Sequence, residues 1–215
     1  MIFFVFYNLS NHYILMTNTM CPIYISVTTI FQRQHKILKT LKSIINQTRK
    51  PDKIFLHISE NSYLIDEGFK DKNITNPDLL TLLNENSIIE VKWVENTGSY
   101  RKLLPLLKEK WEEDCIIITI DDDIFYNKKL IENLITDYKI QNCVISYRGF
   151  TPMCDSLDKF HYDSHDKLIN LSLKNFPTGC AGILWKPQFF HKTTNLIFND
   201  DIFLNCCHTQ DDIWF

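Results

Sequence analysis

The sequence lacks several features that would narrow its function at once. There is no excess of positive charge: 23 lysines and arginines against 26 acidic residues leave a formal net charge of -3, which argues against a nucleic-acid partner. An anionic ligand would therefore need a local cation, either a metal ion or a few placed Lys and Arg side chains. There is no CxxC spacing, and the seven cysteines are an odd number. Cys206 and Cys207 are adjacent and cannot bridge without strain, so free thiols in a reducing, cytoplasmic compartment fit better than a disulfide framework. No transmembrane span is expected. Ile2 to Tyr7 is apolar, but Asn8, Ser10, Asn11 and His12 break the run, and no Lys or Arg precedes it to make a secretory signal. Residues 1–20 read as an edge strand or an N-terminal extension, and any membrane association is expected to be peripheral. Ala181 is the only alanine, a skew that says little about function.

What is there is ordinary for a globular domain: 45% hydrophobic and 23% charged residues in 215, enough for one sizeable core. With no repeat, low-complexity tract or linker, residues 21–215 read as a single domain. Ile23 to Thr29 is β-branched and reads as a buried strand. Ile37, Leu38, Leu41, Ile44 and Ile45 recur at helical spacing before Pro51, and Lys53 to Ile58 is the next strand. Strand, helix, strand in this order predicts a βαβ unit and a parallel sheet. Ser59 to Asn76 reads as a polar loop, Asp78 to Leu83 as a short helix, and Ile88 to Val94 as a third strand. A helical segment around Leu103 to Leu107 must kink or start at Pro105. Cys115 to Ile120 is the most apolar strand, followed by a helix from Lys128 to Tyr138 and a strand from Cys143 to Tyr147. Beyond Gly149 the alternation fades, apart from a strand at Cys180 to Trp185 and a terminal helix.

Two acidic features carry chemistry. Asp121, Asp122 and Asp123 follow directly on the most apolar strand. Adjacent carboxylates repel, and a cation makes that arrangement cheap. At the carboxyl end of a parallel strand they sit where α/β sheets bind ligands. Asp121 and Asp123, as alternate residues, suit one Mg²⁺ or Mn²⁺ completed by phosphate oxygens, the alternative being a solvated turn that caps the next helix. Asp211 and Asp212 precede Ile213, Trp214 and Phe215. Carboxylates beside an aromatic run suit a general base at an apolar wall; taken alone, the pair reads first as an exposed cap of a helix N-terminus, which is common. Cys206, Cys207 and His208 give no tetrahedral zinc spacing, and His57, His161, His165 and His191 read as structural or surface residues.

Taken in order, ISVTT (25–29), SIINQTRKPDKIFL (43–56), ENTGSYRKLLPLL (95–107), IIITIDDDIFY (116–126), FPTGCAGILW (176–185) and QDDIW (210–214) resemble the family-2-like glycosyltransferases. The resemblance spans Ile23 to Phe215. It implies the GT-A fold: an α/β, Rossmann-like three-layer sandwich with a mixed, mostly parallel central sheet. It also implies transfer of a sugar from a nucleotide-sugar donor to a glycan, lipid-linked or protein acceptor, with inversion, using Mn²⁺ or Mg²⁺. Thr28, Thr29 and the loop to Arg33 match the segment around the base, and Lys102 a basic side chain close to the donor. Asp123 matches the direct metal ligand, with Asp121 nearer the ribose and Asp122 between them. Gly179 and Gly182 match positions where backbone approaches the sugar, and Asp212, or its neighbour Asp211, the catalytic base. The family's VDDGS-like turn after the second strand is HISENS here, leaving Glu60 as its acidic candidate. The chain also ends where relatives continue into an acceptor-binding segment, as a compact member or a fragment would. A haloacid-dehalogenase-like phosphohydrolase shares the strand-end DxD, but that family wants Thr or Val where Phe125 stands. A domain that binds nucleotide-sugar without turnover is the non-enzymatic alternative.

Overall fold

The computed structural model describes residues 2–3, 21–150, 152–156, 159–162, 175–193 and 196–215; residues 2–3, 152–156 and 159–162 are described by backbone alone. The strands are β1 (Ile2–Phe3), β2 (Ile23–Thr28), β3 (Lys53–Ile58), β4 (Ile89–Trp93), β5 (Ile116–Ile120), β6 (Ile145–Ser146), β7 (Gly149–Phe150), β8 (Pro152–Ser156), β9 (Lys159–Tyr162), β10 (Phe176–Pro177) and β11 (Ile183–Trp185). The helices are α1 (Ile37–Ile45), α2 (Pro77–Glu85), α3 (Leu104–Glu109), α4 (Leu130–Gln141), α5 (Asp200–Cys206) and α6 (Asp211–Trp214).

Seven strands form one sheet in the order β1-β6-β11-β5-β2-β3-β4. β2 pairs in parallel with β3 and β5, and β3 with β4, as the βαβ alternation requires. β11 runs antiparallel between β5 and β6, which makes the sheet mixed. β1 adds an antiparallel edge to β6, and the rest of the N-terminal extension lies outside the described residues. β8 and β9 form a separate antiparallel hairpin, and β7 pairs with β10.

Side chains alternate across each strand, so one sheet feeds two cores. On one face Ile25, Val27, Ile54, Leu56, Ile58, Ile116, Ile118 and Ile120 meet Ile37, Leu41 and Ile44 of α1, Leu79 of α2 and Leu134 of α4. On the other face Phe55, Ile117, Ile183 and Trp185 meet Leu104, Leu106 and Leu107 of α3 and Phe203 of α5. Helices on both faces of the sheet give the three-layer sandwich.

Local chemistry moves several boundaries. α3 starts at Leu104, with Pro105 in the first turn where its missing N–H costs nothing. α4 starts two residues later than its periodicity suggests, because Asn127 takes the N–H groups of Lys129 and Leu130 into a turn. It ends at Gln141, and the capping residue Asn142, at φ 48°, donates its N–H to the Tyr138 carbonyl. The predicted strand at Cys180 shortens to β11, since Gly179–Ala181 forms a 3-10 turn and Gly182 takes φ 80°. The polar loop after β3 is not simply solvated, for it buries Asp66 and Phe69.

Ile118 lies fully buried at the centre of β5, whereas Leu80 on α2 is 40% exposed. Ile118→Ala is therefore expected to lower unfolding stability by about 2–5 kcal/mol. Leu80→Ala should stay within about 0.5 kcal/mol, both read from urea denaturation midpoints.

Candidate functional site

The carboxyl ends of β2, β3 and β5 lie side by side, so the loops after Thr28, Ile58 and Ile120 converge. β11 runs the opposite way, with Ile183 opposite Thr119, so the turn before it arrives at the same end. The loops after β2, β3 and β5, the 3-10 turn Gly98–Lys102 and the start of α6 line a cavity of about 560 Å³, and the turn before β11 is not part of that lining. Its size suits a small organic ligand. Thr28, Thr29, Arg33, Lys102, Asp121, Asp122, Asp123, Asp211 and Asp212 all line it.

The three adjacent aspartates have different surroundings. Asp122 is buried; it accepts a 2.6 Å hydrogen bond from Thr29 Oγ1 and one of 3.1 Å from Arg33 Nη1. Burial raises its pKa, and the Thr29 and Arg33 contacts oppose that rise. Asp123 is exposed, with Arg33 Nη1 3.7 Å away. Asp121 faces Lys102, whose Nζ is 3.2 Å from Oδ1. The turn is closed from behind: Asp121 N donates to Tyr126 Oη at 2.9 Å, and Thr40 Oγ1 lies 2.9 Å from the Asp122 carbonyl. None of the three caps α4, whose N-cap Lys129 has no side-chain cap hydrogen bond.

Lys102 is the hub. It is 6% exposed, and its Nζ lies 3.2 Å from Asp121 Oδ1, 2.9 Å from Asp211 Oδ2 and 3.7 Å from Asp212 Oδ1. Burial pulls the ammonium's pKa down, but the three carboxylates outweigh it and the net shift is upward. Asp211 and Asp212 open α6, yet neither caps it by a side-chain hydrogen bond. Asp211 is buried against Lys102. Burial raises the Asp212 carboxyl to about 6, Lys102 opposing and Asp211 reinforcing the rise. Gly179 N donates to Asp212 Oδ2 at 3.4 Å. A Cβ on Gly179 would lie 2.5 Å from Lys102 Nζ and 2.8 Å from Asp121 Oδ1, so this glycine permits the close approach. Gly182 serves the turn into β11 instead, where its added Cβ would meet Leu130, and neither glycine lines the cavity.

Glu60 is exposed and outside the cavity lining. The carboxylate that enters after β3 is Asp66, which sequence reasoning missed. Its Oδ1 accepts from Phe31 N and Gly68 N, and its Oδ2 from Asn96 Nδ2 and, at 2.9 Å, from Arg101 Nη2. Arg101 is 1% exposed and lines the cavity, and its Nη1 is buried without a hydrogen-bond partner among the described residues. The only sequence signal was an acid two residues before Gly68, in a stretch read as a plain loop. Tyr63, Leu64, Ile65 and Ile30 add an apolar wall beside this pair.

Among the described residues no group of three or more His, Cys, Asp or Glu could by itself hold a metal ion. Asp121 and Asp123, the expected metal ligands, both line the cavity, with Asp121 beside Lys102 and Asp123 beside Arg33. Cys206 and His208 are exposed, and no zinc cluster forms around them among the described residues. His57 is buried with Nδ1 3.2 Å from Ser26 Oγ; desolvation, with Lys92 and Arg101 nearby, lowers its pKa to about 3. His191 bonds the Trp111 carbonyl, while the His161 and His165 side chains lie outside the described residues.

The fold is of the GT-A, Rossmann-like type. TarS 1–349 of S. aureus in complex with UDP is similar over 89% of this chain, with a TM-score of 0.50 at 14% identity. The 4-diphosphocytidyl-2C-methyl-D-erythritol synthase of Anaerococcus prevotii matches 86% of this chain and 82% of its own, with a TM-score of 0.49 at 11% identity. The chain spans 33% and 53% of the two TarS structures it matches. No family model and no curated protein sequence matches it.

Removing one partner of a buried ion pair leaves the other uncompensated. Asp66→Ala is therefore expected to cost about 3–5 kcal/mol of stability. Glu60→Ala should cost less than about 0.5 kcal/mol, both measured by chemical denaturation.

Proposed function

We propose that this domain is a glycosyltransferase that moves a sugar from a nucleoside-diphosphate donor to an acceptor hydroxyl, with inversion at the anomeric carbon. One observation carries the reading: Lys102 joins the aspartate turn after β5 to the Asp211–Asp212 pair of α6 inside a single cavity. A sugar transfer needs both groups, one to manage the leaving diphosphate and one to take the acceptor's proton. The UDP in the TarS structure gives the ligand class a precedent on this fold.

In this reading the nucleoside lies along the β2–α1 loop. Tyr63, Leu64 and Ile65 form an apolar wall for the base, and Arg101 lines the cavity beside them with its Nη1 buried and unpartnered among the described residues. Asp66 has both oxygens spent on protein donors, so it positions Arg101 and does not read the base itself. The diphosphate faces Asp121 and Asp123. Mg²⁺ or Mn²⁺ held by Asp123, with Asp121 assisting, would neutralise charge on the leaving group. Asp212 accepts the proton of the acceptor hydroxyl, whose oxygen bonds to the anomeric carbon as the bond to the diphosphate breaks. A carboxyl with a pKa of about 6 is well matched to that task near neutral pH. Lys102 holds Asp211 and Asp212 beside the leaving-group side of the cavity.

The test is turnover across a panel of nucleotide sugars with Mn²⁺ or Mg²⁺, donor hydrolysis standing in where the acceptor is lacking. Asp212→Asn should keep donor affinity and lose roughly 10²–10⁴-fold in turnover, the usual worth of a positioned base. Asp123→Asn should weaken donor binding as well. Donor binding without turnover on any sugar, or full activity in both Asp211→Asn and Asp212→Asn, would sink the catalytic reading. The pH dependence has a fixed sign. The base must be ionised, so kcat/KM should fall as pH drops through about 6, and its acid limb should vanish in Asp212→Asn.

A further inference from the structure

Charge is distributed unevenly along this chain. The first 51 residues hold six of its 23 lysines and arginines and none of its 26 acidic residues. In the fold this acid-free stretch becomes β2, the loop carrying Arg33, and α1. α1 buries Ile37, Thr40, Leu41, Ser43 and Ile44 and leaves Lys36, Lys39 and Lys42 exposed.

The segment after the aspartate turn is stitched alongside the same helix. Thr40 Oγ1 donates to the Ile124 carbonyl at 2.8 Å, and Tyr126 N donates to Ser43 Oγ at 3.1 Å. Gln47 Nε2 donates to the Asn127 carbonyl at 2.8 Å, and Thr48 N to the Lys128 carbonyl at 2.7 Å. These bonds bring exposed Lys128 and Lys129 beside the end of α1, together with one acidic residue, Glu132, which accepts from Thr48 Oγ1 at 2.9 Å, and with Phe125, which is 74% exposed. None of Lys36, Lys39, Lys42, Lys128 or Lys129 has an ion-pair partner among the described residues. Lys53, Lys92, Lys102, Lys110 and Lys186 are paired, whereas exposed Lys70, Lys72, Lys108, Lys139 and Lys192 are scattered along the chain, also without an ion pair among the described residues.

We propose that this face docks the protein on an anionic lipid bilayer, with the five lysines over the headgroup phosphates and Phe125 entering the interface. Each basic side chain near an anionic leaflet adds attraction that salt screens, and a ring at the headgroup boundary adds apolar burial. A bilayer fits better than nucleic acid, because the face carries one exposed ring and no row of aromatics on which bases could stack. The face borders the cavity mouth, since Arg33 lies three residues before Lys36 and Asp123 two before Phe125. A docked domain would hold that mouth at the headgroup layer, within reach of a lipid-linked acceptor. The docking rests on the charge map and the exposed Phe125 and stands or falls independently of the sugar transfer.

Co-sedimentation of the whole chain with vesicles tests it. The chain should pellet with phosphatidylcholine vesicles containing phosphatidylglycerol at low salt, be released by high salt, and stay in solution with phosphatidylcholine alone. The triple variant Lys36→Glu/Lys39→Glu/Lys42→Glu should partition roughly tenfold less or weaker still. The pair Lys128→Glu/Lys129→Glu supplies a second reading should the triple variant melt early. Phe125→Ala should weaken binding with no change in its salt dependence. Lys70→Glu/Lys72→Glu, exposed elsewhere, should bind like the parent. Equal pelleting on neutral vesicles, indifference to both sets of charge reversals, or displacement from vesicles by a single-stranded RNA oligonucleotide would overturn the proposal.

Discussion

The buried ammonium of Lys102 is the constraint on which the cavity depends. A lysine at 6% exposure is tolerable only if anions surround it, and here they come from two distant parts of the chain. Asp121 arrives from the end of β5, and Asp211 and Asp212 arrive from the start of α6. The same turn anchors both terminal helices, since Tyr100 Oη donates to the carbonyl of Cys207 at the end of α5 at 2.7 Å, and its ring packs on Phe203 of α5 and on Phe215 just after α6. Gly179 completes the arrangement by leaving room for the ammonium and by donating its N–H to Asp212.

Two further carboxylates do comparable work on either side. Asp122 ties the β2 loop to the β5 turn through Thr29 and Arg33. Asp66 ties the loop after β3 to the turn after β4 through Arg101 and Asn96, and to the β2 loop through Phe31 N. Such buried pairs contribute little net stability over a well-packed apolar core, but they are costly to break singly. Their effect is to hold several irregular segments in one relative placement. A parallel sheet delivers its strand ends together, and these charges keep the loops from scattering.

The charge map has a second consequence. Acidic residues cluster on the cavity, while the unpaired lysines of α1 and the 124–129 segment share the face beside its mouth. One hydrogen-bonded seam links both: Thr40 and Ser43 of α1 support the aspartate turn and also carry Phe125 to the surface. The packing that shapes the site therefore also presents the proposed docking face.

Periodicity alone determined the regular half. β-branched runs at Ile23, Lys53, Ile88 and Cys115 became strands, and the helical spacing from Ile37 became α1, because alternation and amphipathicity are local properties of the chain. The aspartate triplet and the terminal acidic pair were legible too, since runs of carboxylates are visible in composition. What the sequence could not show was which charges meet. Asp66 looked like a residue of a solvated loop and Glu60 like the acidic candidate, because the fold of an irregular loop depends on partners such as Arg101, 35 residues away. Likewise Asp211 and Asp212, taken alone, read first as a helix cap. Their encounter with Lys102 required the sheet to bring β5 and the Gly98–Lys102 turn together and α6 to close over them. Long-range electrostatics has no period, and only the tertiary structure decided it.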